Sequence, residues 1–208
     1  MKKPLIAIFV LSFLISSNTS LKNEIKDHIS EEKVIAVIDS SQAKEFWNKL
    51  KKLKGKAFEG QLVSAPANDD FSGKKLVMHV LYADEETILI PFNVGDNRSR
   101  TWILKYKNGR IELKHDHRHE DGSKDKVTMY GGTSTNSGTP NMQVFPADEE
   151  TVAGIPAAFS NAWWITIDST SYTYNLRRLG SDRLFTVSFD LTKVVEIPKP
   201  SWGWEDFK

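Results

Sequence analysis

The rhythm of apolar and polar residues changes once along this chain, near Gly55. Before it, Ala43, Phe46, Trp47, Leu50 and Leu53 recur every three or four positions, which places them on one face of a helix. Asp39 stands where an N-cap belongs, with Gln42 three residues on. After Gly55 the period falls to two, the signature of strands with one buried face. The predicted strands are 57–64, 75–82, 87–94, 98–107, 110–119, 126–130, 142–145, 162–167, 172–178 and 184–191. Ser72-Gly73, Asn108-Gly109, Asp121-Gly122 and Gly180-Ser181 punctuate them as turns. A short helix is expected over 148–154, and the Gly-, Ser- and Thr-rich stretch 131–140 reads as a mobile loop. Short strands in sequence order predict a mostly β fold, an antiparallel meander. Its edges need cover, and closure into a barrel gives it; a sandwich is the rival architecture.

The Asn108-Gly109 pair predicts a two-residue type I′ hairpin, and that turn fixes a register. Tyr106 then faces Ile111, Leu104 faces Leu113, Trp102 faces His115, Arg100 faces His117 and Arg98 faces His119. Side chains alternate between faces, so all these pairs share one face. That stripe is apolar near the turn and should point inward. At its far end it becomes arginines and histidines beside a tryptophan. The opposite face pairs Lys105 with Glu112, Ile103 with Lys114, Thr101 with Asp116 and Ser99 with Arg118, a mixture expected to meet solvent.

Arg98, Arg100, Trp102, His115, His117 and His119 are therefore the candidate ligand-binding residues, at one end of the barrel. Three readings of them stand. Arginines give bidentate hydrogen bonds to carboxylate or phosphate, and a histidine can add a donor, which suits a small anionic or amphipathic ligand. The same groups could instead be a structural network in a filled barrel, paired with buried acids, backbone or water. A His-dependent hydrolase or isomerase, with or without a metal, is the third. Alternate residues on a strand lie roughly 6.5–7 Å apart, so three such histidines cannot converge on one ion without a bulge. No metal or other cofactor is expected, and no catalytic residue is assigned. The nucleophile-elbow, zinc-protease, phosphate-loop and dinucleotide motifs are all missing. In the binding reading, affinity should fall as the histidines deprotonate.

Composition narrows the setting. The 208 residues carry a formal charge of +1, which gives no overall attraction for nucleic acid or a membrane. Cysteine is absent, which removes disulfides and thiolate chemistry. Residues 1–20 have the three parts of an export signal: Lys2 and Lys3, an apolar run over 4–15, then small polar residues. The run is too short to span a bilayer. The expected product is a secreted or periplasmic protein with no stable membrane insertion after cleavage. It consists of a polar leader over 21–38, one barrel domain with an N-terminal helix over 39–198, and an aromatic tail over 199–208 holding Trp202, Trp204 and Phe207. Its oligomeric state is not legible.

Three blocks, PFNVGDNRSRTWIL at 91–104, LKHDHRHEDG at 113–122 and TMYGG at 128–132, resemble a family of exported bacterial proteins of unassigned function. That resemblance covers the β portion and implies no activity. The helix followed by LKGKAFEG at 53–60 and a meander is similar to the calycins, the lipocalin superfamily, and implies a calycin-like barrel. The tryptophan that lipocalins place two residues after that glycine is replaced here, Ala57 holding the position and Phe58 following. Gly109, His115 and His117 match the opening of the first cupin motif. The acid that should follow comes early at Glu120, or is Asp121, and no later histidine completes a metal set.

Overall fold

A computed structural model describes residues 22, 23, 26, 41–67 and 69–207. The proposed export signal and leader, and the Asp39 cap, lie outside the described residues, apart from those three leader positions. Residues 39–208 form one compact unit. It opens with a helix over 41–51 (α1). The strands follow as β1 (Ala57–Ser64), β2 (Leu76–His79), β3 (Tyr82–Ala83), β4 (Thr87–Val94), β5 (Asn97–Lys107), β6 (Arg110–His117), β7 (Tyr130–Thr133) and β8 (Met142–Pro146). A short helix α2 (Glu149–Gly154) and a 3₁₀ turn (Pro156–Ala158) lead to β9 (Asn161–Ile167), β10 (Ser171–Arg178) and β11 (Leu184–Val195).

All the strands join one antiparallel sheet in the order β7-β6-β5-β4-β2-β1-β11-β10-β9-β8, with β3 beside β4. Neighbours in space are neighbours in sequence, apart from β1 with β11 and β2 with β4, which the two-residue β3 separates in the chain. The sheet is thus a meander nearly closed into a barrel, open only between β7 and β8. The strands over 57–64 and 87–94 begin and end where the alternation does. The predicted strand over 126–130 does not form. Met129 adopts a left-handed φ of 56° and pairing starts at Tyr130. The supposed mobile loop begins as strand and is partly buried: β7 uses Gly131 and Gly132, and Ser134 exchanges hydrogen bonds with Ile111 of β6.

Close approach to β6 explains Gly131, whose added Cβ would lie 1.8 Å from Leu113 O, and the seam between β7 and β8 explains Gly132. A Cβ on Gly132 would lie 1.8 Å from the Pro146 carbonyl oxygen, so the two backbones approach as only glycine allows. α2 then bridges the gap. Asp148 caps it by accepting from Thr151 N, Thr151 Oγ1 accepts from Gly131 N, and Asp148 N donates to Gly131 O. Lys114, buried on the outside of β6, holds Asp148 at 2.8 Å and Glu150 at 2.6 Å. Burial alone would lower the lysine's pKa; the two carboxylates outweigh it and raise it. Asp148→Ala removes both the cap and the better-buried partner of that ammonium. It is expected to cost about 2 kcal/mol, read as a lower thermal midpoint.

The far ends of the barrel differ. Ala43, Phe46, Trp47 and Leu50 of α1 are fully buried in the core. Trp47 donates to Asp84 O and packs on Tyr106, Lys44 and Lys51 bind Glu85, and Lys49 meets Asn141. The helix therefore stops the end that carries the 84–86 and 107–110 turns. The outer face of the β5–β6 hairpin is not the solvent face its mixed residues predict. Thr101 and Asp116 are each 1% exposed. The tail over 199–207 covers them: Trp204 Nε1 donates to Asp116 at 2.9 Å, and Ser201 Oγ donates to Arg100 O at 3.1 Å.

Candidate functional site

The hairpin places the site. Asn108 and Gly109 both have positive φ, 53° and 73°, as a type I′ turn requires. The register runs as the turn dictates from Lys107↔Arg110 through Trp102↔His115 to Arg100↔His117. There it stops. Arg118 N still reaches Ser99 O, but His119 turns away, donating its backbone N–H to Ser123 O, and its side chain is exposed. Arg98 is drawn to the tail: its guanidinium donates to Pro200 O at 2.5 Å and lies 3.9 Å from Glu205. Of the six candidates, the structure brings together Arg100, Trp102, His115 and His117 and leaves Arg98 and His119 outside.

Those four line a cavity of about 180 Å³ at the end of the barrel opposite α1. One wall is a stack of rings. Phe71 lies over Phe92 at 5.9 Å, Phe92 over Trp102 at 4.8 Å, and Trp102 over Tyr174 at 4.4 Å, each pair within 20° of parallel. Leu176 and Phe185 complete the apolar lining, and Asp69, Arg183 and Tyr130 join the polar side. A broader hollow of about 1100 Å³ lies by the 107–110 turn among Glu85, Glu86, Lys105 and Glu112, and its mixed charges favour neither sign.

Hydrogen bonds fix the protonation of the inner histidine. His115 Nδ1 is 2.9 Å from the Tyr130 carbonyl oxygen, which can only accept, so Nδ1 carries the hydrogen. Burial holds the His115 pKa down at about 3, so the ring is neutral and Nε2 keeps its lone pair. Tyr174, whose phenol burial pushes well above its ordinary range, then donates to that nitrogen at 2.7 Å. His117 lies 3.0 Å from the Tyr130 hydroxyl. Burial, helped by Arg100, lowers its pKa to about 4. Tyr130 is raised to about 12 by burial and stays protonated. Neither histidine is charged near neutral pH. The expected loss of affinity on histidine deprotonation therefore has no basis at this site.

Positive charge comes from arginine alone. Arg100 lies over the Phe71 ring at 5.0 Å and donates to Asn97 Oδ1 and Ser99 Oγ. Burial lowers its pKa, with Tyr130 and then Asp70 the largest opposing influences. Among the described residues no carboxylate comes within 4 Å of Arg100 or Arg183. The lining holds no serine, threonine or lysine. Among the described residues no three His, Asp or Glu side chains gather as a metal set would.

Sequence reasoning missed Arg183, Asp69 and Phe71 because they lie in loops without period. Tyr174 and Phe185 point inward as the alternation of β10 and β11 requires. Tyr130 stood only within the TMYGG block. No protein-family model, curated protein or solved structure matches the chain.

Proposed function

We propose that this protein is an exported binding module for a small amphipathic anion, one apolar ring or short chain carrying a carboxylate-like head. The observation that carries the reading is Arg100. It is a half-buried guanidinium with no carboxylate partner among the described residues, set at the rim of an aromatic cavity. A partly desolvated charge held only by neutral groups is costly, and a ligand anion would offset that cost. Size agrees with a small ligand, since a cavity of about 150 Å³ takes benzene. The aromatic lining suits an apolar body, while Arg183, also in the lining, can meet the same head group. Export rests on the pattern of residues 1–20.

Calorimetric titration with benzoate and with benzyl alcohol, its neutral counterpart, tests this. Benzoate should bind the more tightly, and Arg100→Met should cut benzoate affinity by ten- to a hundredfold, the range of a charged hydrogen bond, while leaving benzyl alcohol unchanged. Affinity should be flat between pH 6 and 8, because the arginines do not titrate there. If benzoate and hexanoate both fail to bind at millimolar concentration, the reading is wrong.

A further inference from the structure

The barrel end that holds the cavity also carries an unusual rim. Phe159 is 73% exposed and Leu179 is 62% exposed. They sit side by side, because Leu179 N donates to Ser160 O and Ser160 Oγ donates back to Leu179 O. Val63 and Val127, also exposed, belong to the same end. Val63 precedes Ser64, which pairs with Thr186 near the start of β11, and Val127 follows Asp125, whose backbone N–H reaches His117 O. Folding has not forced these side chains out for want of room: each lies in a turn or at a strand end, where a polar residue is the ordinary choice.

Basic residues flank the apolar pair. Arg177 and Arg178 close β10, and Arg183 lies across the turn, with Arg178 N donating to Arg183 O. Arg178 donates to the neutral Asn161. Among the described residues no carboxylate lies within 4 Å of these three guanidiniums, and Asp182 is the one acid in the turn. Exposed aromatic and aliphatic tips beside arginines without a carboxylate partner match the needs of an interface between water and anionic lipid. There the apolar groups enter the headgroup region and the cations meet phosphate. A protein partner of matching shape would need a flat or grooved surface. This rim offers separate tips around an opening instead.

We infer that the cavity end of the barrel docks peripherally on an anionic membrane surface, with Phe159 and Leu179 inserted and Arg177, Arg178 and Arg183 on lipid phosphates. The inference rests on the rim and holds whether or not the cavity takes an anion. Were both true, the cavity would open toward the phase in which amphipathic anions concentrate.

The chain has no cysteine, so one spin label can be placed without background. Ala157→Cys puts it in the exposed turn beside Phe159, and Lys107→Cys puts a control at the opposite end. The full chain is mixed with vesicles of phosphatidylglycerol and phosphatidylcholine, or of phosphatidylcholine alone. Accessibility to oxygen and to a water-soluble nickel complex then reports depth at each label. That local readout is unaffected by any attachment through the apolar residues 4–15. The label at 157 is expected to become oxygen-rich and nickel-poor only with the anionic lipid, while the label at 107 stays in water. Phe159→Ser with Leu179→Ser should lower the inserted fraction at least fivefold, and so should raising salt from 50 to 500 mM. A label at 157 that stays in water on anionic vesicles overturns the inference. So does equal insertion into neutral vesicles without salt dependence. Dipolar broadening at 157 as protein concentration rises, without lipid, would assign the face to a second copy and also overturn it.

Discussion

Replacing Gly132 by alanine is expected to destabilise the barrel by on the order of 4 kcal/mol, at the upper end for one methyl group. The added Cβ would stand 1.8 Å from the Pro146 carbonyl oxygen, a backbone atom that cannot swing aside like a side chain. β7 and β8 must then separate. With them go the Gly131–Thr151 and Gly131–Asp148 hydrogen bonds that hold the one junction the sheet does not pair. For a domain this size the loss should appear as a fall of roughly 10 °C in the thermal midpoint. Gly154→Ala is the internal control. Nothing lies within 4 Å of its Cβ position, and it ends a helix, so alanine there should be neutral or slightly stabilising. Equal midpoints for the two variants would show that the seam tolerates spreading and that α2 alone closes it.

The same glycines mark where the sequence misleads. A stretch such as GGTSTNSG looks mobile because glycine and serine abound in linkers. Gly131 and Gly132 instead serve close approach, and the need for it arises from Pro146 and Leu113, distant in sequence. The β5–β6 hairpin is the opposite case. Its turn, register and inward face all follow from two adjacent residues, since a type I′ loop leaves the strands one way to pair. That is why Arg100, Trp102, His115 and His117 were legible as a group. The register could not show where pairing ends. Trp202 N donates to Arg98 O, and Pro200 O accepts from the Arg98 guanidinium, so a segment some hundred residues away takes the end of β5. Nor could it show burial. Thr101, Lys114 and Asp116 read as solvent-facing by type and alternation, yet α2 and the tail lie over them. Local rules capture elements and their faces; what covers an outer face is a long-range fact that no period carries.

Burial of the histidines also sets how the fold responds to acid. An unfolded histidine titrates near 6.5. In the folded protein His115 is held at about 3 and His117 at about 4, chiefly by desolvation. Below pH 6.5 the unfolded chain therefore takes up protons that the folded chain refuses. Stability is fully present above pH 6.5 and falls as pH drops toward 4, with the His115 contribution continuing to about 3. Each histidine costs up to about 1.4 kcal/mol per pH unit in that window and less close to 6.5, so the pair should remove about 3 kcal/mol between pH 6.5 and 5. His79, whose pKa burial also lowers, acts in the same direction. A domain of ordinary stability, about 5–15 kcal/mol, would lose much of its margin. Urea midpoints at pH 7 and pH 5 measure the effect. His117→Gln should flatten the dependence by close to half, because glutamine keeps a donor and an acceptor for the Tyr130 hydroxyl and does not titrate. Midpoints that agree at the two pH values would mean that the rings of both His115 and His117 can charge in place, through water admitted at the cavity mouth.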